Sequence, residues 1–211
     1  MRKGKFITVE GTEGAGKSTA LKFIQDFLEQ NGKQIVLTRE PGGTPFAEEV
    51  RNLLLHAKTT EKIEPETELL LMFAGRVQHI AQCILPTLQT GKWIVSDRYI
   101  DASYAYQGGG RGISHHYIHK LDRLAVGHIY PDLTLLLDIP ADLGMQRAEK
   151  RGVQKDRIEQ ERMDFFVRVR QAYLDRAKQD PNRIKIIDAS KSLADVETQI
   201  HQVLTEFLVN K

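Results

Sequence analysis

The sequence contains almost no cysteine. Among its 211 residues there is one, Cys83, so an intramolecular disulfide is impossible. Secreted domains that depend on disulfides are therefore excluded, and a reducing compartment, the cytoplasm, is expected. We interpret a lone cysteine of this kind as a small buried apolar residue rather than as a nucleophile.

An excess of charge of one sign is also lacking. Thirty Lys and Arg residues stand against 28 Asp and Glu residues, which leaves a net charge of +2. Proteins that bind nucleic acid over a broad surface have a stronger basic excess. We therefore expect no nucleic-acid partner, and any anion site must be local.

Long hydrophobic runs are missing as well. The first ten residues are basic and hold only a short apolar stretch, unlike a signal peptide. No stretch approaches the ~20 apolar residues that span a bilayer, so no membrane partner is expected. With 41% hydrophobic and 27% charged residues, the composition is that of a globular protein, and the length suits a single domain over residues 1–211.

Short apolar segments alternate with longer amphipathic ones along the chain. The apolar segments predict five strands, at residues 6–9, 35–37, 93–95, 133–137 and 184–187. Helical spacing predicts helices at residues 20–28, 66–88, 115–126, 141–151, 159–178 and 192–208. This alternation predicts an α/β fold, a parallel five-stranded sheet with helices on both faces. Ligands of such sheets bind at the carboxyl ends of the strands.

A phosphate-binding loop follows the first predicted strand. Residues 11–18, GTEGAGKS, match the pattern G-x-x-x-x-G-K-[ST] between a strand and a helix. Glycines let the backbone N–H groups converge on phosphate oxygens, and the helix adds its positive N-terminal end. Lys17 supplies a charge to the β- and γ-phosphates, and the Ser18 hydroxyl can bind Mg²⁺. The sequence predicts that a nucleoside triphosphate binds here with Mg²⁺, through Gly11, Thr12, Glu13, Gly14, Ala15, Gly16, Lys17, Ser18 and Thr19.

Polar segments also follow the second and third predicted strands. They are residues 38–44, TREPGGT, residues 96–99, SDRY, and, further on, residues 105–112, AYQGGGRG. Asp97 ends an apolar strand, where a carboxylate can hold Mg²⁺ directly or through water, and Arg98 can grip a phosphate with two N–H groups. The alternatives are a surface ion pair between Asp97 and Arg98, and a flexible loop for the glycine run.

Together these segments resemble bacterial thymidylate kinases. The resemblance rests on the phosphate-binding loop, on residues 38–44 and 105–112, and on FAGR at 73–76, DRY at 97–99 and DRIE at 156–159, in the order of that family. It implies a P-loop NTPase-type fold with a mobile lid, and an enzyme that phosphorylates dTMP to dTDP with Mg-ATP, a step in dTTP synthesis. It also implies a homodimer, packed through helices such as the one from Glu66.

The resemblance implies roles for individual residues. Arg98 would hold the dTMP phosphate, Glu13 would lie near the sugar 3′-hydroxyl, and Arg76 would hydrogen-bond a thymine carbonyl. Tyr106 would crowd the sugar C2′ and disfavour a ribose. The other substrate contacts that it implies are Arg39, Glu40, Pro41, Phe73, Ser103 and Gln107.

The aromatic residue expected to stack on the base is Phe73, three residues before Arg76. Members of this family often have phenylalanine four residues before the arginine, a position held here by Met72. Residues at both spacings share a helix face, so Phe73 can still serve. A core position for Phe73 on this apolar helix is the alternative.

A basic stretch at about residues 147–158 is interpreted as the lid. Such a segment closes over ATP, excludes water and brings an arginine to the transferred phosphoryl group. The variable positions of the phosphate-binding loop hold no arginine, and the resemblance implies that such members take their catalytic arginine from the lid. Arg151 is the first candidate, followed by Arg147 and Arg157. The alternative is an ordinary solvated helix face.

Two other functions fit parts of the same pattern. A deoxynucleoside kinase needs a carboxylate base for a hydroxyl acceptor, a role open to Glu40, but the context of residues 38–44 favours a monophosphate acceptor. A P-loop switch of the GTPase kind usually carries an Asn-Lys-x-Asp motif, and the sequence has none. Four histidines between residues 115 and 128 have no cysteine partner or H-E-x-x-H spacing, so they do not indicate a metal site.

Overall fold

The computed structural model describes residues 4–56, 61–150, 152 and 156–209. Its strands are β1 (Phe6–Glu10), β2 (Ile35–Arg39), β3 (Trp93–Asp97), β4 (Leu133–Asp138) and β5 (Ile184–Asp188). All pairs are parallel, in the order β2-β3-β1-β4-β5. The predicted five-stranded parallel sheet is confirmed, and each strand runs one or two residues further toward its carboxyl end than the sequence predicts.

Helices cover the sheet in the described part of the chain. They are α1 (Lys17–Gln30), α2 (Pro45–His56), α3 (Pro65–His79), α4 (Leu85–Gln89), α5 (Ile100–Ser103), α6 (His115–Ala125), α7 (Ala141–Glu149), α8 (Met163–Gln179) and α9 (Leu193–Val209). Two π-helical segments, Ile80–Ile84 and Tyr104–Gly110, follow α3 and α5. The sequence predicts a helix from residue 159, but α8 begins at Met163, because residues 157–160 form a turn held by the Asp156 carboxylate.

Apolar side chains fill both faces of the sheet. On one face, α1 and α9 pack on the strands through a cluster that includes Ile24, Leu28 and Leu204. On the other face, α3 and α6 contribute Phe73 and Ile118 to a second cluster. All five side chains are buried, and each burial of this size contributes roughly 1.5–3 kcal/mol. The helices therefore hold the sheet from its faces and leave the carboxyl ends of the strands open.

The glycine-rich segment is not a loop. Tyr104–Gly110 is π-helical and packs against α8. A Cβ on Gly109 would lie 2.6 Å from the Cβ of Ala172, and one on Gly110 would lie 2.4 Å from the ring of Phe165. Only glycine permits so close an approach between this segment and α8. The glycine run therefore serves packing, and the flexible-loop alternative is wrong.

The helical stretch Pro65–Gln89 is long and apolar. By length and composition it could cross a membrane, although the sequence alone suggests no such run. The core helix of a folded protein passes the same test, and 44% of the apolar window is buried here. Its buried side also carries Glu68, Arg76 and His79, each hydrogen-bonded to polar side chains. We therefore describe it as a core helix.

Candidate active site

The phosphate-binding loop joins β1 to α1. Gly11, Gly14 and Gly16 have φ angles of 139°, 73° and 90°, a region open mainly to glycine. The Lys17 ammonium donates hydrogen bonds to the carbonyls of Gly11 and Thr12, at 3.1 Å each. The loop thus curls around a cation at the N-terminus of α1, which suits the phosphates of a nucleotide.

The loop is packed directly against α7. A Cβ on Gly14 would lie 1.9 Å from the carbonyl oxygen of Gly144, and a Cβ on Gly144 would lie 2.6 Å from that of Glu13. Both positions therefore require glycine. This contact, which the sequence does not predict, ties the loop to α7, the helix that precedes most of the predicted lid.

The end of β3 lies beside the loop, because β3 pairs with β1 and places Asp97 opposite Val9. The Asp97 Oδ1 atom is buried and has no hydrogen-bond partner among the described residues. Arg98 has a φ of 66°, unusual for a residue with a side chain. Its Nη2 atom donates to Glu13 at 2.8 Å and to the Tyr106 hydroxyl at 2.8 Å. The alternative of a surface Asp97–Arg98 ion pair is wrong, since the guanidinium pairs with Glu13.

Nearby positive charges favour the ionised form of Glu13. Burial disfavours an ionised Glu13, but the charges of Arg98 and Lys17 outweigh it and lower the pKa of Glu13. Burial and the charge of Arg98 lower the pKa of Lys17. The Nε of Arg98 is buried and has no hydrogen-bond partner in the described chain. The charge of Asp97 also acts on both cations, so Lys17 and Arg98 stand with two carboxyl groups, and the place left for an incoming anion is at the Nε of Arg98.

A cavity opens beside this cluster. Glu13, Arg98 and Tyr106 form its polar end, and Met72 and Leu55 belong to its apolar wall. The other lining residues are Pro41, Arg51, Ala102, Gln107, Asp156 and Ile158. The polar segments after β2 and β3 therefore meet at the phosphate-binding loop, as the sequence predicts.

Buried hydrogen bonds fix the side chains next to the cavity. Arg76 donates from Nε to Glu40 at 2.7 Å and from Nη1 to the Ser103 hydroxyl at 3.0 Å. Its Nη2 donates to the Tyr99 carbonyl at 3.1 Å. Arg76 and Ser103 are almost fully buried, behind the residues that line the cavity. Gln107 lines the cavity, and its Oε1 has no hydrogen-bond partner among the residues described.

Glu40 is committed to structural contacts. One oxygen accepts from Arg76, and the other lies 2.9 Å from Nδ1 of His79. It is therefore not available as the base that a deoxynucleoside kinase needs.

Two further predictions concern Cys83 and Arg39. Cys83 is half-buried, and a hydrogen bond with His79 lowers its pKa, so its surroundings are more polar than the sequence predicts. Arg39, another predicted substrate contact, is exposed and paired with Glu48.

The two candidates for the base contact face different ways. Met72 lines the cavity and packs with Val50 and Leu54 of α2. Phe73 lies in the core cluster behind it, with its ring 4.8 Å from the Arg76 guanidinium. Successive residues on a helix are turned by about 100°, so only one of the two faces the cavity. The structure places Phe73 in the core position that the sequence left as the alternative.

Two of the three candidate lid arginines, Arg147 and Arg157, lie in the described chain, and both donate hydrogen bonds to groups outside the phosphate-binding loop. Arg147 donates to the Ala189 carbonyl at 2.7 Å. Arg157 donates to the Leu54 carbonyl at 2.8 Å and to the carboxylate of Glu68. The first candidate, Arg151, lies outside the described residues.

Two features of the site escape the sequence prediction. Arg51 lines the cavity and donates to the Pro41 carbonyl at 2.9 Å, but it belongs to α2, which was not predicted. A second cavity, beside the phosphate-binding loop, is lined by Arg147, Ala189 and Lys191. Residues 189–191 follow β5, so the rule that ligands bind at strand ends would have pointed to them.

Comparison with known proteins identifies the family. A family model described as thymidylate kinase matches residues 9–200. Curated relatives named thymidylate kinase include one from Ruthia magnifica subsp. Calyptogena magnifica, 52% identical over 97% of this chain and 98% of the relative. Another, from Hahella chejuensis, is 52% identical over 97% of each chain.

A solved structure agrees. The crystal structure of thymidylate kinase from Ehrlichia chaffeensis is 34% identical, with a TM-score of 0.76 over 96% of this chain and 98% of that one. The expected P-loop NTPase-type fold is confirmed. Since the motifs, the fold and the comparisons agree over almost the whole length, the chain belongs to the thymidylate kinase family.

Proposed function

We propose that this protein transfers the γ-phosphoryl group of ATP to dTMP and releases ADP and dTDP, a step in dTTP synthesis. The observation that carries the proposal is the position of Arg98. Its guanidinium lies between the phosphate-binding loop and the cavity, bonded to Glu13 and Tyr106. A guanidinium so placed suits a phosphate that must lie next to the γ-phosphoryl group of a bound nucleotide. The single cysteine favours the cytoplasm as the place of this reaction.

The donor nucleotide occupies the phosphate-binding loop. Its phosphates contact the loop N–H groups and Lys17, with Ser18 and Thr19 in the first turn of α1. The second cavity adjoins this turn and suits the adenosine part of ATP. Arg147, fixed there by the Ala189 carbonyl, supplies a flat cation for the base to pack on.

Magnesium is the proposed cofactor. Within the described residues, no group of three or more His, Cys, Asp or Glu side chains could hold a metal ion by itself. In nucleotide sites Mg²⁺ needs only one or two protein oxygens, because phosphates and water supply the others. The unpartnered Oδ1 of Asp97 and the hydroxyl of Ser18 fit that requirement. Bound there, Mg²⁺ would neutralise charge on the β- and γ-phosphates.

The acceptor phosphate supplies the nucleophile. One of its oxygens, anionic near neutral pH, forms a bond to the γ-phosphorus, while the bond from that phosphorus to the β–γ bridging oxygen breaks. ADP leaves with that electron pair, so no general base is required. Lys17, Arg98 and a lid arginine spread the charge of the transferred group.

The acceptor nucleoside fills the cavity. Near the sugar, the Tyr106 hydroxyl donates to the Glu13 carboxylate, 2.9 Å from both oxygens, and this packing favours a deoxyribose. Met72 offers an apolar surface to the base. Gln107 offers a buried carbonyl oxygen with no other partner in the described chain.

We also propose which arginine of the lid reaches the transferred phosphoryl group. Arg147 and Arg157 hold other partners in the conformation described. Arg151 is therefore our first candidate, within a lid at about residues 147–158 of a single domain that spans residues 1–211.

A second copy of the chain is the proposed partner. Three helices that pack side by side, α2, α3 and α6, each expose two apolar side chains seven residues apart. Residues at this spacing lie on one helix face, and exposed apolar patches mark interaction surfaces. We call this surface the apolar face; its residues are Phe46, Leu53, Leu70, Val77, Tyr117 and Leu124.

The test of the function is ADP release from Mg-ATP with dTMP, dUMP, UMP, dCMP, AMP or thymidine as acceptor. We expect strong stimulation by dTMP, with weaker stimulation by dUMP. Stimulation by thymidine but not dTMP would identify a nucleoside kinase instead. ATP hydrolysis that no acceptor stimulates would favour a P-loop switch.

A further inference from the structure

One carboxylate connects the cavity to Arg157, near the end of the predicted lid. Glu68 of α3 is 1% exposed and accepts a hydrogen bond from Gln107 Nε2 at 2.8 Å. Arg111 donates to the same carboxylate from Nε at 3.3 Å and from Nη2 at 3.1 Å. Arg157 donates to it as well. Three side chains, two of them from residues 107–111 and the third from Arg157, therefore meet at one buried anion.

Because Glu68 can only accept hydrogen bonds when it is ionised, it determines the orientation of the Gln107 side-chain amide. Between two guanidinium groups Glu68 is ionised: burial opposes the charge, but hydrogen bonds from Arg111 and Gln107 lower the pKa of Glu68. An ionised carboxylate accepts hydrogen bonds and donates none. The amide end of Gln107 that faces Glu68 must therefore be the NH₂ group, which leaves the carbonyl Oε1 for the cavity. That oxygen is buried, and the described residues offer it no donor.

We propose that Glu68 is a positioning residue that sets the base specificity of the acceptor site, by holding Gln107 with its carbonyl oxygen toward the cavity. The inference rests on the proposed function, with dTMP as acceptor. Thymine and uracil carry a proton on N3 and can donate it to Gln107. Cytosine has a lone pair at N3, and two acceptors would then face each other in a buried site. Leaving such a polar group unsatisfied corresponds to about a 10- to 100-fold loss of binding.

Substitution Glu68→Gln should reverse the amide. The Nη2 atoms of Arg111 and Arg157 both donate to Oε2 of Glu68, so the new carbonyl oxygen should take that place. The new NH₂ group then takes the place of Oε1, where it faces Gln107 at 2.8 Å and, more distantly, the Nε of Arg111 at 3.3 Å. Gln107 would then turn its own carbonyl toward that donor and its NH₂ group toward the cavity. We expect KM for dTMP to rise about 10- to 100-fold, kcat to change much less, and the ratio of kcat/KM for dTMP over dCMP to fall by a similar factor.

The swap variant Glu68→Gln/Gln107→Glu provides the rescue. It keeps the net charge and returns an acceptor oxygen to the cavity, because the new amide donates to one oxygen of the new carboxylate. We expect it to recover most of the preference for dTMP over dCMP. Glu161→Gln is the matched control, since Glu161 also binds Arg111 but does not contact Gln107; the dTMP/dCMP ratio should change less than about threefold.

The outcomes separate this inference from the proposed function. If the unsubstituted protein does not phosphorylate dTMP, both are overturned. If it does, and folded Glu68→Gln keeps the original KM and dTMP/dCMP ratio, only the role of Glu68 is overturned. If Glu68→Gln does not fold, the swap variant tests the role instead. A KM for dTMP near that of the unsubstituted protein supports the role of Glu68. A KM as high as that of Gln107→Leu, which lacks the carbonyl oxygen altogether, overturns it.

Discussion

At the scale of single residues, the site is built from side chains held under constraint. Arg98 has a positive φ, which costs a residue with a side chain roughly 1–3 kcal/mol. This backbone turn directs its guanidinium back over the phosphate-binding loop, where Glu13 and Tyr106 bind it. Such strain persists only where the surroundings enforce it, and it is typical of residues that a function requires in one position.

The first prediction concerns Arg98 itself. Arg98→Ala removes the cation proposed to hold the acceptor phosphate, so kcat/KM for dTMP should fall at least about 100-fold. Calorimetry should show that Kd for Mg-ATP stays within about threefold, because the loop and Lys17 are intact. Arg162→Ala, at a guanidinium 91% exposed, is the control and should leave turnover unchanged. Near-normal turnover of Arg98→Ala would contradict the assignment.

The second prediction concerns His79 and pH. Burial opposes a charged His79, but hydrogen bonds with Cys83 and Glu40 outweigh it and raise the pKa of His79 to about 9, from an ordinary 6.5. The folded protein therefore binds this proton more tightly than the unfolded chain. The contribution of His79 is complete below pH 6.5 and is lost as pH rises through 9, by about 1–3 kcal/mol, while the lowered pKa of Cys83 acts in the opposite direction.

Urea unfolding at pH 6, 7.5 and 9 measures this loss. In His79→Gln the free energy of unfolding should depend less on pH over the same range. A slope equal to that of the unsubstituted protein would show that His79 is not the titrating group.

At the scale of elements, two helices outside the sequence prediction contribute to the site. α2 and α5 are not predicted: α5 has four residues, and α2 follows a glycine-rich turn that looks like a loop. Yet α2 supplies Arg51 to the cavity, and α5 leads from Arg98 into the π-helical segment with Tyr106 and Gln107. Asp101 anchors α5, since Arg176 of α8 and Arg183 both donate to its buried carboxylate.

The third prediction concerns this anchor. Asp101→Asn leaves two guanidinium groups without their carboxylate, and breaking a buried ion pair in this way costs about 3–5 kcal/mol. Tm should fall by about 10 °C, measured by calorimetry at pH 7. Asp164→Asn, in an exposed pair with Arg168, is the comparison and should change Tm by about 1 °C or less. Equal Tm values for both variants would show that Asp101 does not anchor α5.

At the scale of the whole molecule, strand order places the chemistry. β1 lies in the middle of the sheet, with β3 on one side and β4 on the other. The connection after β1 runs to β2 on one side, whereas the connection after β3 runs to β4 on the other, and the crevice at such a switch point is where ligands of open α/β sheets bind. The phosphate-binding loop occupies that position, with the Asp97–Arg98 segment of the neighbouring strand beside it.

The fourth prediction concerns assembly. If the apolar face joins two copies, the protein should elute as a dimer at micromolar concentration, with the mass checked by light scattering. Leu124 is 83% exposed at this face, and Leu124→Glu should yield monomers because a charge would be buried in the interface. Val167→Glu, on α8 outside the apolar face, should leave the dimer intact. A monomer in the unsubstituted protein would contradict the proposal.

Local sequence pattern is enough to predict the features that depend on neighbours along the chain. The five strands, the GTEGAGKS loop and the segments after the strands follow from local pattern, because periodicity and glycine placement act over a few residues. The folded chain was needed to establish that Met72 rather than Phe73 faces the cavity, that the glycine run packs on α8, and that Gln107 donates a hydrogen bond to Glu68. Those outcomes depend on contacts between residues far apart in the chain, where packing and the pairing of buried polar groups select one arrangement.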